Sequence, residues 1–125
     1  MVDLSNDSNW QLIAEEQRNI SGTPGYFNKI PNIIMPIPFI NEYFKVFANT
    51  VNGKSTWNYA GRLYLYIGSV NDFAPEYFSS TGIILNEWRI VHFPGVLLTQ
   101  QSHLSFEPPY WMPDIDLEVY QYQEV

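Results

Sequence analysis

The amino-acid sequence predicts a mostly β protein: an antiparallel β-sandwich of jelly-roll or immunoglobulin-like shape, with a small β-barrel as the alternative. Three observations carry this. The stretch on either side of Asn52-Gly53 folds back on itself with apolar residues on one face, and residues 62–70 and 115–125 alternate with a period of two. Turn-forming pairs separate roughly six to eight short runs rich in β-branched and aromatic residues, with little helix between them.

Residues 1–9 are polar and rich in Asn, Asp and Ser, which predicts a flexible N-terminal arm ahead of a single β-rich domain over residues 10–125. In the next segment Trp10, Ile13 and Ala14 fit one face of a short helix, whereas Trp10, Leu12 and Ala14 fit alternate positions of a strand. The β character of the rest of the chain favours the strand. Thr23-Pro24-Gly25-Tyr26 places Pro and Gly at the two central positions of a type II turn.

Residues 30–40 hold Pro31, Pro36 and Pro38 in an otherwise apolar run. Each proline removes a backbone donor, so this run cannot form a helix interior or a central strand. Two readings stand. It is a buried edge segment, or it is an exposed patch covered by another subunit, which makes Ile33, Ile34, Met35, Ile37 and Phe39 an oligomer interface.

Asn52-Gly53 suits the positive φ angles of a type I′ turn. Pairing Val51 with Lys54 sets Ala48 against Trp57 and Val46 against Tyr59, and gathers Phe44, Val46, Ala48, Trp57 and Tyr59 on one face. A slip of one residue would turn every side chain over, so the pattern favours this hairpin register. A helix over residues 40–51 competes, because Ile40, Tyr43, Phe44, Phe47, Ala48 and Val51 also follow the i, i+3, i+4 rule.

Farther on, Leu63, Leu65 and Ile67 alternate with Tyr64, Tyr66 and Gly68, so both faces are apolar and a central strand is expected. Residues 73–82 read as a loop or one short helical turn. Two runs, 83–93 and 96–106, flank Pro94-Gly95. That pair favours a type II turn, and the chain there makes either a hairpin or a corner into a second sheet. Residues 107–113 form a stiff proline-rich loop. A last strand points Ile115, Leu117 and Val119 inward and Asp116, Glu118, Tyr120 and Tyr122 outward.

Composition narrows the function. Six basic against thirteen acidic residues give a net charge of −7, with no Lys or Arg after Arg89, so nucleic acid and anionic membrane surfaces are poor partners. Charged residues make up only 15% of the chain, and its polar surface is largely uncharged. The absence of cysteine excludes disulfides, thiolate catalysis and cysteine-based metal sites. The N-terminus lacks the basic and apolar regions of a signal peptide, and no run is long enough to span a membrane as a helix. The expectation is a soluble chain, cytoplasmic or part of a virion.

The most site-like sequence feature is Tyr110-Trp111, held between Pro109 and Pro113, where two rigid rings suit the C–H faces of a glycan or a partner side chain. Asp114, Asp116 and Glu118 line one face of a strand, but carboxylates about 6–7 Å apart along it do not hold one cation unaided. His92 and His103 show no metal-binding spacing, and no nucleophile elbow or phosphate-binding glycine loop is present. Trp57, Tyr59, Tyr64, Tyr66 and Trp88 would line a cavity in a closed barrel and otherwise belong to packing. No cofactor or metal is expected. The leading expectation is a non-enzymatic structural or assembly subunit, a homo-oligomer or part of a virion or other multi-subunit particle; the alternative is a carbohydrate-binding module using Tyr110 and Trp111.

Overall fold

A computed structural model describes residues 2–19, 33–49, 58–68, 77–109 and 114–124. Nine strands are described: β1 (Trp10–Asn19), β2 (Ile33–Pro36), β3 (Tyr43–Asn49), β4 (Tyr59–Tyr66), β5 (Tyr77–Ser79), β6 (Ile83–Ile84), β7 (Arg89–His92), β8 (His103–Glu107) and β9 (Asp114–Tyr122). One sheet has the order β1-β9-β3-β7, the other β2-β8-β4-β5, with β6 pairing to β4, and all pairs are antiparallel. The two sheets pack face to face as a β-sandwich and do not close, so the barrel alternative is not formed.

The order has a simple origin. β1 pairs with β9, β2 with β8, β3 with β7 and β4 with β5. These are the four rungs of one long antiparallel ribbon. Rolling it up adds β9 beside β3 and β8 beside β4, which is the jelly-roll arrangement.

This topology corrects the expected hairpin. The strand over residues 43–49 is present, and Phe44, Val46 and Ala48 are fully buried, so neither the helix nor the wrong face is found. Its neighbours, however, are β9 and β7: Val46 lies opposite Val119 and Arg89, not Tyr59. β4 belongs to the other sheet, where Leu63 faces Phe106 and Leu65 faces Leu104. Alternation fixes which face of a strand is buried, and two strands of opposite sheets meet that demand as well as two partners in a hairpin. The Asn52-Gly53 turn, Thr23–Tyr26, Trp57, Tyr110 and Trp111 lie outside the described residues.

The core is a double layer. Ile33, Met35, Leu63, Leu65, Leu104 and Phe106 come from one sheet, and Phe44, Val46, Ala48, Val91, Ile115, Leu117 and Val119 from the other. β4 is central, as both its apolar faces predict, with β8 on one side and β5 and β6 on the other. Residues 77–79, expected as loop or helical turn, form the short edge strand β5. Among the described residues of the 30–40 run, β2 lies at the edge of its sheet with β8 as its one paired strand, and Pro36 ends it. Pro94-Gly95 is the expected turn, with Gly95 at φ 76°, and it makes the corner, since β7 and β8 lie in different sheets.

β1 is a strand with a bulge between Leu12 and Ala14. The extra residue puts Trp10 and Leu12 opposite Tyr122 and Tyr120 on the outer face, while Ala14 faces Val119 and packs on the core. Residues 3–9, expected as part of a loose arm, make specific contacts. The Asp3 N–H donates to the Tyr122 hydroxyl at 2.9 Å, and the Trp10 indole N–H to the Leu4 carbonyl at 3.1 Å. Gln123 N–H donates to the Asn9 carbonyl at 2.7 Å. Tyr122 points outward as expected, yet this segment covers it, leaving it 1% exposed.

Candidate functional site

Rolling the ribbon brings the β2–β3 connection, residues 37–42, to the same end of the sandwich as the β7–β8 connection, residues 93–102. The Phe93 N–H donates to the Glu42 carbonyl at 3.1 Å and joins them. Ile40 and Leu97, one from each connection, are 84% and 79% exposed, and Val2 beside them is 46% exposed. A hollow of about 380 Å³ lies between the connections, lined by Ile40, Asn41, Tyr43, Val96 and Leu97 among others. A second, of about 480 Å³, lies on the other side of Ile40 against Pro38, Phe39, Tyr122 and Glu124.

One buried side chain fixes the shape of this end. Gln121 is fully buried; its Nε2 donates to the carbonyls of Phe39 and Asn41, both at 2.8 Å, and its Oε1 accepts from Phe39 N–H at 3.2 Å. A loop whose donors and acceptors face no strand must find partners elsewhere, and Gln121 supplies three. Beside it, the His92 Nε2 and a Glu42 carboxylate oxygen lie 2.8 Å apart, and the His92 ring stacks on Tyr43 at 4.0 Å.

The oligomer-interface set predicted from the sequence divides. Ile33, Met35 and Ile37 are 5%, 2% and 7% exposed and belong to the core. Ile34 remains exposed at the β2 edge and Phe39 is half-buried. Sequence reasoning missed Ile40 and Leu97. Their signal was an apolar residue just beyond Pro38 and just beyond Pro94-Gly95, where turn residues would ordinarily be polar.

The remaining candidates are dispersed. His92 and His103 lie in different sheets; the His103 ring is buried, stacked on Tyr66 at 5.1 Å, with Nδ1 3.1 Å from the Gly68 carbonyl. Asp116 and Glu118 are half-buried on the outer face, and among the described residues no group of three or more His, Asp or Glu is placed to hold a metal. Tyr64 and Tyr66 lie on the outer face of the second sheet with Tyr77, whose ring is 5.7 Å from that of Tyr66. Burial first, then neighbouring groups including Glu107, raises the pKa of both, so their hydroxyls stay protonated. Among the described residues no helix is long and apolar enough to cross a membrane.

No protein-family model, curated protein or solved structure matches this chain.

Proposed function

We propose that the protein is a non-enzymatic assembly subunit that pairs with a second copy of itself through the end of the sandwich bearing Ile40 and Leu97. The observation that supports this most is Ile40, 84% exposed and set between two hollows. A side chain that projects beside a cavity of its own surface is self-complementary: a two-fold axis seats each copy's Ile40 in the other's hollow. Ile40, an exposed branched side chain on a segment tied down by Gln121, needs little ordering on contact. The jelly roll is also the sandwich of viral shells and of lectins, an analogy that agrees with a subunit of a larger particle without assigning it.

Sedimentation velocity tests the reading. The wild-type protein is expected to form a dimer or larger closed oligomer whose association strengthens with added salt, because copies of net charge −7 repel one another when screening is weak. Ile40→Asp and Leu97→Asp should each shift the distribution to monomer with thermal midpoints nearly unchanged, since neither side chain is packed. A monomeric wild type at high concentration and moderate salt, or an oligomer indifferent to both substitutions, overturns it.

A further inference from the structure

On the outer face of the β1-β9-β3-β7 sheet, away from the end just described, a cleft of about 330 Å³ is lined by Asp7, Trp10, Lys45, Trp88 and Tyr120. The Lys45 Nζ lies 5.4 Å from the Trp10 ring centroid and 5.1 Å from that of Trp88. A single ammonium group is thus held within cation–π range of two indoles. Both rings are themselves fixed. Trp88, although 48% exposed, packs on Phe47 at 4.9 Å and on Tyr120 at 5.8 Å; Trp10 meets Tyr122 edge-on at 5.6 Å and is anchored by its indole hydrogen bond to Leu4.

The electrostatics of the cleft favour a cation. Asp7 contributes a carboxylate to the wall. The Tyr120 hydroxyl donates to Glu118 Oε1 at 3.0 Å, and its pKa is raised by burial first, then by the bond to Glu118 and the charges of Glu118 and Glu15. Two electron-rich indole faces and the acidic Asp7 therefore line a cleft that a positive charge already occupies.

We propose that this cleft is a receptor for a small quaternary ammonium ion, and that the Lys45 ammonium is a built-in occupant which the ligand displaces. A primary ammonium is strongly hydrated and surrenders much of that hydration between two indoles, whereas a methylated ammonium carries its charge on an apolar surface and surrenders less. The flexible four-carbon stem of Lys45 lets its head return to water when the ligand enters. The net charge of −7 draws cations toward the protein and disfavours anionic ligands. None of the cleft's lining residues lines the two hollows of the Ile40–Leu97 end.

The test is an NMR titration with choline chloride, at ionic strength held constant with sodium chloride, following the indole N–H signals of Trp10 and Trp88. Wild-type protein should show saturable shifts of both signals. Lys45→Gln, with its occupant removed, should bind choline about tenfold more tightly, and Trp88→Ala, read at Trp10, should lose binding. The neutral isostere 3,3-dimethylbutan-1-ol should leave both signals unmoved. Lys45→Met repeats the measurement with a side chain of similar length, should the amide disturb the sheet. Equal response to the neutral isostere, or unchanged or weaker choline binding by both folded Lys45 variants, overturns the proposal.

Discussion

Replacing Gln121 with leucine should lower stability by about 3 kcal/mol or more, a large loss for a change that keeps side-chain size. The side chain reaches from β9 to the 37–42 connection and satisfies the N–H and carbonyl of Phe39 and the carbonyl of Asn41. Leucine leaves all three backbone groups without that partner, at about 1–3 kcal/mol for each one that water does not reach. In a domain of this length the expected fall in thermal midpoint is on the order of 10 °C. The consequence extends beyond stability: the same bonds hold the segment that presents Ile40, so Gln121→Leu should weaken self-association even at temperatures where the protein remains folded. Thermal unfolding by circular dichroism and sedimentation of the same samples read both effects. A midpoint within 2 °C of wild type would show that Gln121 does not anchor the loop.

Gly61→Ala should be comparably damaging for a different reason. Gly61 has φ 126°, a conformation that side-chain-bearing residues rarely adopt, at the register shift where β4 meets β6. A methyl group there would overlap the Glu107 carbonyl oxygen and stand 3.0 Å from the Cα of Pro108. Backbone strain of about 1–3 kcal/mol adds to the cost of pushing the end of β8 away from β4. A total of about 4 kcal/mol is expected by urea denaturation, enough to unfold a marginal domain. Ala at position 61 without loss of stability would mean that β4 and β8 do not approach as described.

These two residues show what the sequence could and could not disclose. Burial followed directly from alternation: Phe44, Val46 and Ala48, and likewise Ile115, Leu117 and Val119, are inside. Pairing did not follow, because a period of two names a face and not a neighbour, and β3 and β4 meet that pattern from opposite sheets. The bulge in β1 shifts Ala14 onto the core beside an outward Leu12, which no strict alternation reproduces. Gln121 reads as one more polar residue in a strand until the fold places an unpaired loop beside it. The ammonium cleft is drawn from positions 7, 10, 45, 88 and 120, and only the rolled ribbon brings them together.

Both surfaces argued above depend on β3 lying between β9 and β7 in the sheet opposite β2, β8 and β4: that placement makes 37–42 and 93–102 the crossings between the sheets and sets Lys45 between Trp10 and Trp88. Cross-strand nuclear Overhauser effects measured on isotopically labelled protein test it most directly. Backbone protons of residues 44–48 should contact those of residues 117–121 and 89–91, following the pairs Val46 with Val119 and Phe44 with Val91. Contacts from Val46 to the backbone of Tyr59 in place of these would restore the simple hairpin and contradict the account.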